Sequence, residues 1–423
     1  MKTILIYVLI FFINIQLFSQ IDYNEYFTEK TLRLDYSIGG NIDNFSVYFE
    51  QLKQEPFWSG PKTKTIDKFN FGDFQLIVLD SLKQKVLYSR GYSSLFAEWL
   101  DEKKSKILNR SFYESVVMPF PKQKIFIKLQ FRTKKNIFVD IFELPVLPSD
   151  YNIKIDKQTK FKSERISGNS EPSKSLDIVV IAEGYSEKEM TKFRKDCKKF
   201  IDIFFGVEPF KSNKNKINFW AVDAISEESG TDIPGEGIWK NTVLNSNFYT
   251  FDVDRYLTTT DIKSVRDIAA YVPYDQIYIL VNTSKYGGGG IYNYYNLCCS
   301  DNIYSGQIFT HEFGHAFAAL ADEYQYEDGL AEDLYDMTVE PWQVNITNLV
   351  DFEKKWKNLI DEKTPIPTKI KDKDKIGAFE GAGYVSKKIY RPEFDCKMRS
   401  TDKSEFCKVC YNTIFEMIMF YTE

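Results

Sequence analysis

From about Leu32 to Leu147 apolar and polar residues alternate in short runs, the period-two pattern of strands with one buried face. In "IFIKLQF", Ile125, Ile127, Leu129 and Phe131 fall on one side, and "FQLIVLDSLKQKVLYSRGY" reads as strand, turn, strand. Helical periodicity is scarce here, so residues 20–165 are predicted to form an all-β sandwich.

The polar stretch "SERISGNSEPSKS" (Ser163 to Ser175) contains Gly168 and Pro172 and reads as a linker. Beyond it the pattern changes. "LDIVVIAEGYS" is a continuously apolar strand ending at Gly184, and Met190, Phe193, Cys197, Phe200 and Ile201 then recur at helical spacing. "INFWAVDAI" and "QIYILVN" read as further strands, followed by the glycine run "YGGGGIYNYY" and a second long helix around "FTHEFGHAFAALADEY". Residues 166–423 are therefore predicted to be an α/β domain.

The first residues, "MKTILIYVLIFFINIQLFSQ", place Lys2 before an apolar run from Ile4 to Ile13, then polar residues and the small Ser19. That order fits a secretory signal over 1–19, and the run is too short to span a bilayer stably. A secreted, periplasmic or cell-surface location is expected. The 55 basic and 60 acidic residues leave a net charge of -5 with no long single-sign block, which argues against nucleic acid as a partner.

Export bears on the cysteines at 197, 298, 299, 396, 407 and 410, because an even number in an oxidising compartment favours disulfides. Cys396, Cys407 and Cys410 form a cluster, but without a nearby histidine or fourth cysteine they make a weak structural zinc site.

Both histidines of the chain lie in "HEFGH". Residues four apart on a helix share a face, so His311 and His315 can grip one Zn²⁺. Glu312 would flank the ion, placed to take a proton from an attacking water. Catalytic zinc sites keep three protein ligands, and with no histidine left the third must be a carboxylate or, failing that, a thiolate. Asp322 and Glu323 are nearest. On a continuous helix Asp322 would lie about 10.5 Å along the axis from His315, so its use requires the helix to break after about Ala318. A straight helix would instead favour Glu332 or Glu340.

The segment "HEFGHAFAALADEY" resembles the active-site segment of the bacterial IgA peptidase family of zinc metallopeptidases. "EGYSEKEM", "FWAVDAISEESGTD", "GGGGIYNYYN", "GAFEGAGY", "YRP" and "CKMRS" followed by "FCKVC" are similar to that family in the same order, over roughly residues 170 to 415. The resemblance implies a metzincin-like catalytic domain preceded by a β-sandwich. In it the active-site helix ends soon after the second histidine, the third ligand follows, and Met398 forms an apolar floor. The glycine expected three residues after the second histidine is Ala318, and the acidic pair comes one residue later than the usual third ligand. Asp322 is favoured over Glu323.

The expected activity is hydrolysis of peptide bonds in a protein or peptide substrate, with one zinc ion held by His311, His315 and Asp322, and Glu312 as general base. Tyr324, Tyr384 and Tyr390 are possible oxyanion donors. The glycine run Gly287 to Gly290 could seat a substrate strand or be a plain turn. Two other classes fit the same residues: a surface-binding protein with a vestigial zinc site, and a zinc hydrolase of a non-peptide amide. The family name suggests immunoglobulin A, but no residue is identifiable as reading a hinge sequence.

Overall fold

The computed structural model describes residues 21–155, 160–326, 334–400 and 402–422; the signal-like segment 1–19 and Glu332 lie outside the described residues. After one turn, α1 (Tyr23–Tyr26), two four-stranded sheets form. The first runs in the order β5 (Arg110–Pro121), β1 (Phe27–Gly40), β2 (Phe45–Glu55), β8 (Lys154–Ile155). The second runs β4 (Val86–Tyr92), β3 (Phe74–Leu79), β6 (Ile125–Arg132), β7 (Phe138–Val146).

Alternation decides which faces meet. Leu32, Leu34, Tyr36 and Ile38 of β1 share one core with Leu76 and Val78 of β3 and with Ile125, Ile127 and Leu129 of β6, the arrangement of a sandwich. The other face of β1 is also buried, although it carries Arg33 and Asp35. Arg33 reaches Asp267 at 2.6 Å, and Tyr274 donates to Glu55 at 3.1 Å. Buried charges persist when paired, and these pairs join the sandwich to the second half of the chain. Helical structure is not absent from the first half: α2 (Leu95–Asp101) buries Leu95, Phe96, Trp99 and Leu100.

The second half is built on a six-stranded sheet in the order β13 (Gly288–Ile291), β14 (Tyr295–Cys299), β12 (Gln276–Val281), β10 (Leu176–Glu183), β11 (Ile217–Val222), β9 (Ser163–Ser167). The inner four strands are parallel and both edge strands antiparallel. Every residue of β10 is buried because both faces are covered. Val179 and Ile181 pack with α4 (Ile262–Ala269) in the core shared with the sandwich. Ile178, Val180 and Ala182 face α3 (Met190–Phe204), α5 (Ser305–Ala318) and α6 (Lys408–Thr422). A hairpin, β15 (Phe379–Ala382) and β16 (Val385–Arg391), stands apart from this sheet.

Two expectations are revised. Ser163–Ser167, read as linker, forms the edge strand β9 paired with β11; its polar side chains suit an edge, and its backbone completes the ladder. The six cysteines are all buried with free thiols, not disulfide-bonded. Among the described residues no helix is long and apolar enough to cross a membrane.

Candidate metal centre

Helix α5 is oriented by its aromatic face. Phe309 stacks on Tyr278 with ring centroids 3.9 Å apart, and Phe313 meets Phe204 edge-on at 5.2 Å. This turns His311, Glu312 and His315 toward the opposite side, where they line a cleft of about 1600 Å³ between the two halves of the chain. Glu98, Asp101 and Arg132 line it from the sandwich side.

The glycine run lets the helix sit close to the sheet. A Cβ at Gly290 would lie 2.2 Å from the Glu312 carbonyl oxygen, and one at Gly288 would lie 2.6 Å from Ile308 Cγ2. Gly288 to Gly290 of the run lie in the edge strand β13 and border the cleft.

The helix ends after Ala318, where Asp322 needs it to end. Ala319 adopts φ 52° and ψ 31°, a left-handed conformation costing an L-residue roughly 1–2 kcal/mol. The Ala319 amide donates to His315 O at 2.9 Å and the Leu320 amide to Gly314 O at 3.3 Å, satisfying carbonyls left open at the helix end. The chain then doubles back and brings Asp322 Oδ1 to 3.1 Å from His311 Nε2 and 3.4 Å from His315 Nε2. The two Nε2 atoms are 3.0 Å apart.

Each ring is held from behind. His311 Nδ1 lies 2.9 Å from Lys397 O, and His315 Nδ1 lies 2.6 Å from Leu320 O. A carbonyl oxygen only accepts, so both Nδ1 atoms carry hydrogen and both Nε2 atoms face the cleft, where each can bind a cation in place of a proton. Met398, fully buried in the turn after Cys396, lies beneath Gly314: a Cβ there would be 2.7 Å from Met398 Sδ.

Asp322 is held by a distant part of the chain. The hairpin turn between β15 and β16 has positive φ at Gly383 (57°) and Tyr384 (67°), as a two-residue type I′ turn requires. Gly383 N donates to Asp322 O at 2.9 Å, Tyr384 N donates to Tyr324 O at 2.9 Å, and the Tyr384 hydroxyl donates to Asp322 Oδ2. Tyr384 therefore orients Asp322, a role its sequence context did not reveal. Tyr324 lines the cleft and accepts from Arg255 Nη2 at 3.0 Å. Tyr390 is buried in the core on β16.

The electrostatics follow from burial and proximity. Burial opposes a charge on His315, but the Asp322 carboxylate holds its pKa up at about 9. Burial likewise opposes ionisation of Asp322, yet His315 and His311 hold its carboxyl well below the ordinary value. Burial raises Glu312 against the pull of both histidines. Asp322 Oδ1 is buried with no aligned hydrogen-bond donor among the described residues. Two imidazole nitrogens and one orphaned carboxylate oxygen, all converging, make a donor set suited to a divalent borderline cation such as zinc.

Glu323 turns away from this group and lies among Cys396, Cys407 and Cys410. Glu340 accepts from the Asp351 amide at 3.0 Å and does not join the histidines.

Comparison with known families supports the same region. The family described as IgA Peptidase M64 matches residues 165–376 and 371–418, and Peptidase M64 N-terminus matches residues 22–143. The chain belongs to the IgA peptidase M64 family, a family of peptidases. No curated protein shows significant similarity to it.

Proposed function

We propose that the protein is an exported zinc-dependent endopeptidase acting on extracellular or host proteins. His311, His315 and Asp322 hold the ion and Glu312 is the general base. The observation that carries this reading is the convergence of three ligand atoms beside Glu312, on the cleft wall opposite the sandwich. Zinc, when bound, supplies a Lewis acid for the attacking water and the scissile carbonyl.

The chain's own groups do the rest. Burial raises Glu312 toward the range useful for proton transfer; its carboxylate takes the proton of the attacking water and delivers it to the leaving amine nitrogen. Lys397 O and Leu320 O fix the two rings, and Tyr384 fixes the carboxylate. The strand β13 beside Glu312 is suited to align an extended peptide.

The division near residue 165 into a sandwich domain and a metzincin-like catalytic domain belongs to this proposal, as does removal of residues 1–19. In support, the left-handed residue is Ala319 and the carboxylate follows three residues later, so helix end and third ligand are shifted together by one position. The purified protein should carry zinc and cleave a proteome-derived peptide library. A zinc-loaded protein inert toward peptides would reject the reading.

A further inference from the structure

Opposite the histidine site, four side chains from three segments meet in the interior. Glu323 is fully buried, as are Cys396 and Cys410, and Cys407 is 2% exposed. Their ligand atoms all lie within 4.8 Å of one another. Cys410 Sγ is 3.1 Å and Cys407 Sγ 3.7 Å from Glu323 Oε1. Asn345 Nδ2 also donates to that oxygen at 3.0 Å, whereas Glu323 Oε2 is buried without a hydrogen-bond partner among the described residues.

A buried carboxylate is ordinarily paired with a cation or bound to a metal. Arg391 is the nearby cation, but its guanidinium donates to the carbonyls of Phe394, Glu380 and Gly381. Three mutually adjacent thiols are equally unusual, because one disulfide would use two and strand the third. A tetrahedral ion uses all four groups. With Zn–S about 2.3 Å and Zn–O about 2.0–2.2 Å, sulfur and oxygen ligands sit about 3.5 Å apart, which the two observed separations bracket.

The surroundings fit thiolates. Cys407 N points to Cys396 Sγ at 3.2 Å, Met398 N to the same sulfur at 3.4 Å, and Cys410 N to Cys407 Sγ at 3.5 Å. Cys407 and Cys410 flank the first residues of α6, where free amides favour negative charge.

We propose that Glu323, Cys396, Cys407 and Cys410 form a second, structural zinc site. It would brace the first from behind. Glu323 follows Asp322 directly, and the turn after Cys396 supplies Lys397 O to His311 and places Met398 under Gly314. Three thiolates and a closed, buried coordination sphere select zinc over harder ions.

X-ray absorption at the zinc edge of the intact, unmodified protein tests this without a variant. A sulfur shell at about 2.3 Å is expected alongside nitrogen and oxygen; a spectrum with nitrogen and oxygen only overturns the proposal. In a second arm, His315→Ala should fall from two zinc ions per chain to one. Replacing the retained ion with cobalt should give a thiolate-to-cobalt charge-transfer band. A His315→Ala protein that folds but holds no metal, whether its thiols are free or paired in a disulfide, also overturns it. One zinc per chain bound by sulfur together with oxygen, with no metal lost in His315→Ala, would reject the catalytic site but leave this one standing.

Discussion

Asp322 and Glu323 are consecutive, yet their carboxylates serve two different clusters: Asp322 Oδ1 lies 3.1 Å from His311 Nε2, and Glu323 Oε1 lies 3.1 Å from Cys410 Sγ. Past the left-handed Ala319, neighbouring side chains enter two different clusters, one with the histidines and one with the cysteines. The two residues have different chemistry because they have different neighbours.

Glu312→Gln removes the base and leaves the three ligand atoms in place. Turnover should fall by about 10²–10⁴ with zinc content unchanged. Steady-state peptide hydrolysis paired with metal analysis reads both, and proteolysis retained in the variant would take Glu312 out of its role.

Tyr384→Phe keeps the ring that stacks on Tyr326 and deletes the hydroxyl that orients Asp322. Removing such an outer partner typically lowers metal affinity about 10–100-fold. Competition with a chromogenic chelator measures it; an unchanged affinity would mean that Asp322 is held adequately without the phenol.

Gly290→Ala would force a Cβ to 2.2 Å from a helix carbonyl that cannot move aside independently. The expected loss is about 1–3 kcal/mol of stability, read by denaturant unfolding, with weaker zinc binding as α5 shifts. A neutral substitution would show that the helix and β13 are not closely apposed.

Glu114, fully buried on β5, has its carboxyl pushed up to about 8 by burial. The folded state therefore retains a proton that the unfolded chain releases near the ordinary carboxylate value. The contribution is fully present below that value and is lost as pH rises through about 8, at up to about 1.4 kcal/mol per pH unit. Urea unfolding from pH 5 to pH 8 should show the wild-type protein losing stability relative to Glu114→Gln. Parallel profiles would mean that Glu114 is already ionised at pH 5.

Local pattern carried much of this into the sequence. The alternation of Ile125, Ile127 and Leu129, the buried run of β10 and the shared face of His311 and His315 each depend on neighbours within a few residues, and each appears as read. Contacts between distant segments were not legible. Asp322, rather than Glu323, is brought to the histidines by the Ala319 turn and held there by a hairpin tip some sixty residues on. The cysteine cluster looked one ligand short because Glu323 is remote from Cys396 in the chain. Ser163–Ser167 looked like linker because an edge strand needs no apolar side chains, only a neighbour's backbone.

The central claim is that cleavage depends on a metal held by the histidine pair. The most direct measurement is peptide hydrolysis by the purified protein before chelation, after it, and after stoichiometric return of zinc, with His315→Ala alongside. Activity should vanish on chelation, return with zinc, and be absent from the variant throughout. Cleavage that survives chelation, or that persists in His315→Ala, would contradict it.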